Sequence, residues 1–286
     1  RRLFADALRD QAEQIGVIGP LIGRTVRGGV NVLRNLKHRA IDVPYPFVTP
    51  RTVFNRSLSP ERSFATASLP VAEMKAVKNA ARVTLNDVVL ATVAGALDRF
   101  FDARGHRLDK PLIASVPMAV STPNEAPREA GNRVANLFTS LCNDVRDPLE
   151  RLQKIHAITE QAKEVQQQLG METMLDWSEA LPAAAYRWIL GAYSQSGLSD
   201  VVPPPANLIV SNVRGPDRPL YVAGAKLRTI YSVGPAVEGI GLNITGWSYC
   251  GEIAFSLIAD AAAIPDPHFI TDSLRPALDD LIRATL

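Results

Sequence analysis

Between residues 83 and 101, apolar side chains recur at Leu85, Val88, Val89, Val93, Ala96, Leu97, Phe100 and Phe101. This is the three-and-four spacing of a helix that buries most of its surface. A second stripe on the same stretch, Asp87, Ala91, Ala94, Gly95 and Asp98, is small enough to admit another element at close range. Two polar residues, Asn86 and Asp87, stand in the first turn of this core helix, where they must either cap it or line a site. Thr84 and Asp87 have the spacing of a capping box with Asp in place of Glu. Spacing alone leaves both accounts open.

The hydrophobic pattern elsewhere alternates between the strand and helix periods. Residues 53–69 alternate weakly and read as one or two strands, and 71–82 suit a short helix leading into the core helix. The apolar run P-L-I-A-S-V-P-M-A-V over 111–120 predicts a buried strand, and 132–143 another. Asp147-Pro148 offers an N-cap followed by proline at the first helical position. Leu149, Leu152, Ile155, Thr159, Ala162 and Val165 then extend into a long amphipathic helix. A further helical stretch covers 172–195. Strands are predicted at Asn207–Val213, at Tyr221–Val233, and at 240–249 and 252–259, the last two meeting at Cys250-Gly251 as a hairpin. A helix from Asp266 to Ala284 closes the chain. Strands interspersed with helices predict an α/β sheet layered with helices.

The first residues differ from the rest. From Gln14 to Ala40 there are five glycines and five basic residues, Arg24, Arg27, Arg34, Lys37 and Arg39, with no Asp or Glu. Such a segment reads as a basic connector or surface helix. The stretch P-Y-P-F-V-T-P-R-T over 44–52 can only be extended and reads as a linker or crossing arm.

Composition narrows the function classes. A chain of 286 residues with 47% hydrophobic content can bury one large core. With 31 basic and 29 acidic residues the net charge is only +2, which is no polyanion-binding signature, so no nucleic-acid partner is expected. Cys142 and Cys250 lie far apart with no C-x-x-C and no histidine cluster nearby. They imply neither a disulfide scaffold nor a metal site, and a reducing compartment. No apolar run approaches the ~20 residues that span a bilayer. The chain begins at Arg1 rather than methionine, which leaves open a processed product, a trimmed chain or one piece of something longer.

Candidate chemistry is sparse. The four histidines, His38, His106, His156 and His268, have no partner at a recognisable catalytic spacing, and each reads as a surface or core-edge residue. No G-x-S-x-G, P-loop, G-x-G-x-x-G or H-E-x-x-H is present. In S-N-V-R-G-P, residues 211–216, Asn212 falls at a strand end, where ligands of α/β sheets often bind but where a plain turn fits equally. In G-I-G-L-N-I-T-G-W-S-Y, residues 239–249, Asn243, Thr245, Trp247 and Tyr249 share one strand face, which either lines a cleft or is simply half-exposed.

Three motifs in order then carry a resemblance: L-N-D-V-V-L-A-T-V-A-G-A-L, S-N-V-R-G-P-D-R-P-L-Y-V-A-G-A, and Y-S-V-G-P-A-V-E-G-I-G-L-N-I-T-G-W-S-Y-C-G-E-I-A-F-S-L-I-A-D. Together they resemble the C-terminal half of the bacterial wax ester synthase/acyl-CoA:diacylglycerol acyltransferase family, which includes mycobacterial triacylglycerol synthases. The match runs over residues 45–286. Arg214 stands where that family often has proline, and Ser232 departs from Y-P-V-G-P.

The resemblance implies a chloramphenicol-acetyltransferase-like mixed sheet layered with helices, made of two halves with a tunnel between them. It implies transfer of a fatty acyl group from acyl-CoA, a substrate rather than a cofactor, to diacylglycerol or a long-chain alcohol, with no cofactor and no metal. The alternative is a non-catalytic lipid-binding or scaffolding module of the same fold. Family members carry H-H-x-x-x-D-G in an N-terminal half, the second histidine being the general base; this chain has no adjacent histidines. It is therefore expected to be the C-terminal acyltransferase domain at 45–286 preceded by a connector at 1–44, to be inactive alone, and to partner the half bearing that motif. The family's N-D pair falls on Asn86 and Asp87, the expected supporting catalytic residues. Substrate-binding positions are expected at Asn212, Gly215, Pro216, Gly224, Ala225, Asn243 and Thr245. A cytoplasmic enzyme, peripheral at the inner membrane or at lipid droplets, completes the expectation.

Overall fold

The computed structural model describes residues 49–106, 108, 110–119, 134–169, 188 and 191–286. Two compact units are distinguished, one of residues 1–42, 117–137 and 161–197 and one of residues 43–116, 138–160 and 198–286. The second contains most of the described secondary structure. Of the first, the described residues are the adjoining ends of two strands, the second half of one helix and a short stretch before residue 198.

The elements in chain order are β1 (Arg62–Pro70), α1 (Val71–Ala81), α2 (Leu85–Asp102), β2 (Ile113–Ala119), β3 (Val134–Ser140), α3 (Pro148–Leu169), β4 (Leu208–Arg214), β5 (Tyr221–Val222), β6 (Ala225–Lys226), β7 (Leu242–Tyr249), β8 (Glu252–Asp260) and α4 (His268–Thr285). Six strands form one mixed sheet in the order β1-β8-β7-β4-β2-β3. Strand β4 runs parallel to both β2 and β7, and β8 is antiparallel to both β7 and β1. The expected mixed α/β sheet is therefore present.

Helix α2 is the core helix of the sequence pattern. Val88, Val89, Leu90, Val93, Leu97 and Phe100 are buried, and α4 packs along it, with its own Ile270, Leu274, Ala277, Leu278 and Leu281 buried. The small stripe serves the purpose its composition suggests. A Cβ on Gly95 would lie 3.0 Å from the Ala277 Cβ, so glycine here sets how closely the two helices approach. Between α1 and α2 the chain turns at Arg82, whose φ of 58° is left-handed and whose amide closes α1 on the Lys78 carbonyl. The β7–β8 hairpin turns at Cys250 and Gly251, φ 47° and 91°, the paired positive values of a type I′ turn.

Two expectations fail for physical reasons. Residues 53–61 form no strand; the arm instead wraps Phe54 against Phe100 and Phe101, with ring centroids 5.9 and 5.4 Å away. The strand expected over Tyr221–Val233 is cut to a two-residue ribbon, β5–β6, by left-handed Ala223 and Gly224, and 227–236 pairs with no strand. The segment 1–44 and most of the helical stretch 172–195 lie outside the described residues.

Candidate active site at the start of helix α2

The first turn of α2 is a complete capping box. Thr84 Oγ1 accepts from the Asp87 amide at 3.2 Å, and Asp87 Oδ2 accepts from the Thr84 amide at 2.9 Å and from its hydroxyl at 2.7 Å. The structural account of Asp87 is thus correct but incomplete. Nδ1 of His156 on α3 also donates to Oδ2, at 2.7 Å. The carboxylate is fully buried, whereas the imidazole is 32% exposed. Asp87 Oδ1 is buried without a hydrogen-bond partner. Asn86 is half-buried, and its carboxamide makes no hydrogen bond with the described residues.

A carboxylate that fixes one imidazole nitrogen and leaves the other outward is the arrangement that orients a histidine in acid–base sites. It can equally transmit position in the other direction, from the histidine to the carboxylate. Helix α3 is itself firmly placed. Arg151 is nearly buried, donates from Nε and Nη2 to the Val145 carbonyl at 3.0 and 2.8 Å, and meets Asp98 Oδ2 at 2.5 Å. Asn143 Nδ2 bridges the Ala94 carbonyl at 3.2 Å and Asp98 Oδ1 at 2.7 Å. Burial pushes the Asp98 carboxyl above its ordinary range, against the opposing pull of Arg151. Both acidic residues of the small stripe on α2 therefore meet a basic residue of α3. Among the described residues, no group of three His, Cys, Asp or Glu side chains is placed to hold a metal ion.

The remaining candidates fall elsewhere. Asn243 and Thr245 lie together on β7, both buried: Thr245 Oγ1 donates to Asn243 Oδ1 at 3.1 Å, and Asn243 Nδ2 donates to the Pro235 carbonyl at 2.9 Å. The backbone at Gly234 runs over this amide so closely that a Cβ there would lie 2.5 Å from Nδ2. Asn212 stands half-buried within β4, two residues before its end and opposite Gly246. Gly215, next to half-buried Pro216, lies where a Cβ would meet the Ser248 carbonyl at 2.2 Å, so only glycine permits the loop to pass. Gly224 and Ala225 are exposed on the β5–β6 ribbon, which Tyr249 anchors by accepting from the Leu220 amide and donating to the Leu227 carbonyl. No hydrogen bond or ion pair joins any of these residues to the Asp87 group.

Two features escaped the sequence. His156 lies 69 residues from Asp87, and no local spacing signals their contact; the small-residue stripe carrying Asp87 was the one available hint. A row of hydroxyls, Thr66, Ser256, Thr245 and Ser211, crosses four adjacent strands in register, and Ser256 Oγ is buried with no hydrogen-bond partner. Register makes this row, and register is not legible strand by strand.

Residues 130–282 match the family model described as the WS/DGAT C-terminal domain, and residues 2–89 match the one described as the wax ester synthase/diacylglycerol acyltransferase catalytic domain. The Asp87–His156 contact joins a residue of one matched stretch to a residue of the other. A Mycobacterium tuberculosis protein named as a diacylglycerol O-acyltransferase is 35% identical over 99% of this chain and 59% of its own length. A second from the same organism is 32% identical over 97% and 61%. The chain thus spans about three fifths of the length of these relatives. Among solved structures, the wax ester synthase/diacylglycerol acyltransferase of Marinobacter aquaeolei VT8 superposes with a TM-score of 0.65 at 30% identity, over 83% of this chain and 53% of that one. A nonribosomal peptide synthetase, FmoA3, shares the fold alone, with a TM-score of 0.52 at 13% identity over 92% of this chain and 26% of that one.

Proposed function

The chain belongs to the wax ester synthase/diacylglycerol acyltransferase family, and from that premise we propose that it forms part of an O-acyltransferase moving a fatty acyl group from coenzyme A to diacylglycerol or a long-chain alcohol. The observation that carries this reading is the family's N-D pair at Asn86 and Asp87, found at the start of a buried helix with Asp87 committed to structure and the Asn86 carboxamide making no hydrogen bond with the described residues.

The chemistry has a use for that division of labour. A general base removes the alcohol proton, and the oxygen attacks the thioester carbonyl. The tetrahedral intermediate carries its charge on the carbonyl oxygen until it collapses and expels the coenzyme A thiolate, which takes up the proton. A preorganised amide donor aimed at that oxygen lowers the barrier, and removing such a donor typically costs ~10²–10³ in rate. Asn86 is our candidate donor, with Asp87 as the residue that anchors it. The base is supplied by a segment carrying H-H-x-x-x-D-G, a motif absent from these 286 residues. We further place the enzyme in the cytoplasm, peripheral at the inner membrane or at lipid droplets. The lipid solubility of the acceptors and the basic, apolar composition of residues 14–40 support that placement.

The test is acyl transfer from radiolabelled oleoyl-CoA to dioleoylglycerol and to hexadecanol. The chain is assayed by itself and together with a family half bearing H-H-x-x-x-D-G. Triacylglycerol or wax ester formed only in the combined sample is the expected result. Turnover by the chain alone would overturn the assignment of the base, and no ester in either sample would overturn the acyltransferase reading.

A further inference from the structure

A capping box needs only its own two residues. Thr84 and Asp87 satisfy each other's backbone amides without outside help, so the bond from His156 is not required to cap α2. What the box cannot do is fix the first turn relative to the rest of the fold. That fixing comes from α3, and the two helices are tied at two points: Asp87 to His156 and Asp98 to Arg151. One tie would leave a pivot, whereas two ties, 11 residues apart on α2 (98 minus 87) and 5 apart on α3 (156 minus 151), define direction as well as position. Asn86, between the cap and the tie, has no hydrogen bond of its own with the described residues to hold its carboxamide.

We propose that His156 is a positioning residue of the acyltransferase: its Nδ1–H holds Asp87, and through Asp87 it sets the direction in which the Asn86 carboxamide points. This rests on the acyltransferase reading above. The imidazole suits the role better than a lysine or arginine would. It has few rotatable bonds, so little freedom is lost on forming the bond, and it gives a single donor aimed along the ring plane. The burial of Asp87 makes the bond worth more than a surface pair, since the carboxylate is fully enclosed and Oδ2 is otherwise shared among the described side chains only with Thr84. Misplacement of a catalytic group by about 1 Å can cost on the order of 10²-fold in rate. The loss of this tie is therefore visible in turnover.

The experiment uses the active enzyme with its H-H-x-x-x-D-G half and compares kcat, KM for oleoyl-CoA and melting temperature for His156→Ala, His156→Asn, Asn86→Ala and the double variant His156→Ala/Asn86→Ala. His156→Ala is expected to lower kcat by ~10–100-fold with KM little changed. His156→Asn, whose amide nitrogen falls close to where Nδ1 stood, recovers most of the rate. In the double variant the two losses do not add, because an unaimed Asn86 has little left to lose. Wild-type kcat in His156→Ala overturns the proposal, as does a double variant whose losses multiply in full. A fall in melting temperature with kcat intact identifies the contact as structural only and overturns it too. If the unsubstituted enzyme makes no ester, the acyltransferase reading itself fails, which is a different result from an unaffected variant.

Discussion

Asn55 and Asn207, 152 residues apart, are each other's hydrogen-bond partner: Asn207 Nδ2 donates to Asn55 Oδ1 at 2.8 Å, with both side chains buried. Around this pair the accounting is nearly complete. Asn207 Nδ2 also donates to the Pro50 carbonyl, and its Oδ1 accepts from the Ile113 amide at 2.8 Å. Asn55 Nδ2 reaches the carbonyls of Ala206, Asn207 and Gly239, and its Oδ1 accepts from Thr52. Two side-chain amides thus replace the ladder that residues 53–61 do not form. They dock the arm to β2 and to the start of β4.

Asn207→Leu is expected to destabilise the fold by about 2 kcal/mol, because it strands the buried Ile113 amide and removes the partner of the half-buried Pro50 carbonyl. Urea unfolding is the measurement. The midpoint should fall while the slope is unchanged, and a midpoint equal to the parent's would show the network to be dispensable.

At the start of α2 the two polar neighbours should respond oppositely. Thr84→Ala removes the cap and is expected to cost ~1 kcal/mol. Asn86→Ala leaves the melting temperature nearly unchanged, since its carboxamide bonds to no described residue, but lowers turnover in the complete enzyme by ~10²–10³. Thermal unfolding and initial rates on the same preparations check both statements; a destabilised Asn86→Ala with normal rates would contradict the division of roles.

Arg151→Met leaves the half-buried Asp98 carboxylate with only Asn143 and the charge of Arg146 to offset it, and is expected to cost at most ~3–5 kcal/mol at neutral pH. The sign of the pH dependence follows from Asp98, whose carboxyl is raised from 3.8 by burial. A raised pKa means that the folded state holds the proton more tightly. The stability this contributes is full below pH 3.8 and is lost as pH rises through the folded value. Without Arg151 the carboxyl rises further, so the variant's deficit should narrow on acidification from pH 7 to pH ~5. A deficit that widened would place the charge cost elsewhere.

The localisation proposed above predicts a role for residues 14–40. Each basic residue near an anionic lipid surface contributes ~1 kcal/mol, and the segment has five, interspersed with Ile15, Val17, Ile18, Leu21, Ile22, Val30, Val32, Leu33 and Leu36. The enzyme should float with vesicles containing phosphatidylserine at low salt. A variant with Arg24, Arg27, Arg34, Lys37 and Arg39 changed to Gln should not. Equal flotation of the two removes the electrostatic anchor.

Much of this protein was legible residue by residue, because its signals are local. The period of α2 sets its buried face. The Thr84–Asp87 spacing sets its cap, and Asp147-Pro148 the start of α3. Cys250-Gly251 sets the β7–β8 turn. Each follows from the backbone geometry of a few consecutive residues, and the three motifs in order carried the family. What only the tertiary structure decided depends on partners distant in sequence. His156, set aside as a surface or core-edge residue, acquires its meaning from a carboxylate 69 residues earlier. Asn243 and Thr245, legible as polar residues on one strand face, are buried under the passing backbone at Gly234 and Pro235 rather than lining an open cleft. Asn55, in a stretch whose weak alternation suggested a strand, does its work through carbonyls more than 150 residues away. A side chain's type and period determine which face of its element it occupies. Which buried group lies opposite is fixed only when the elements pack, since an unpaired polar group excluded from water must find whatever partner the fold brings to it.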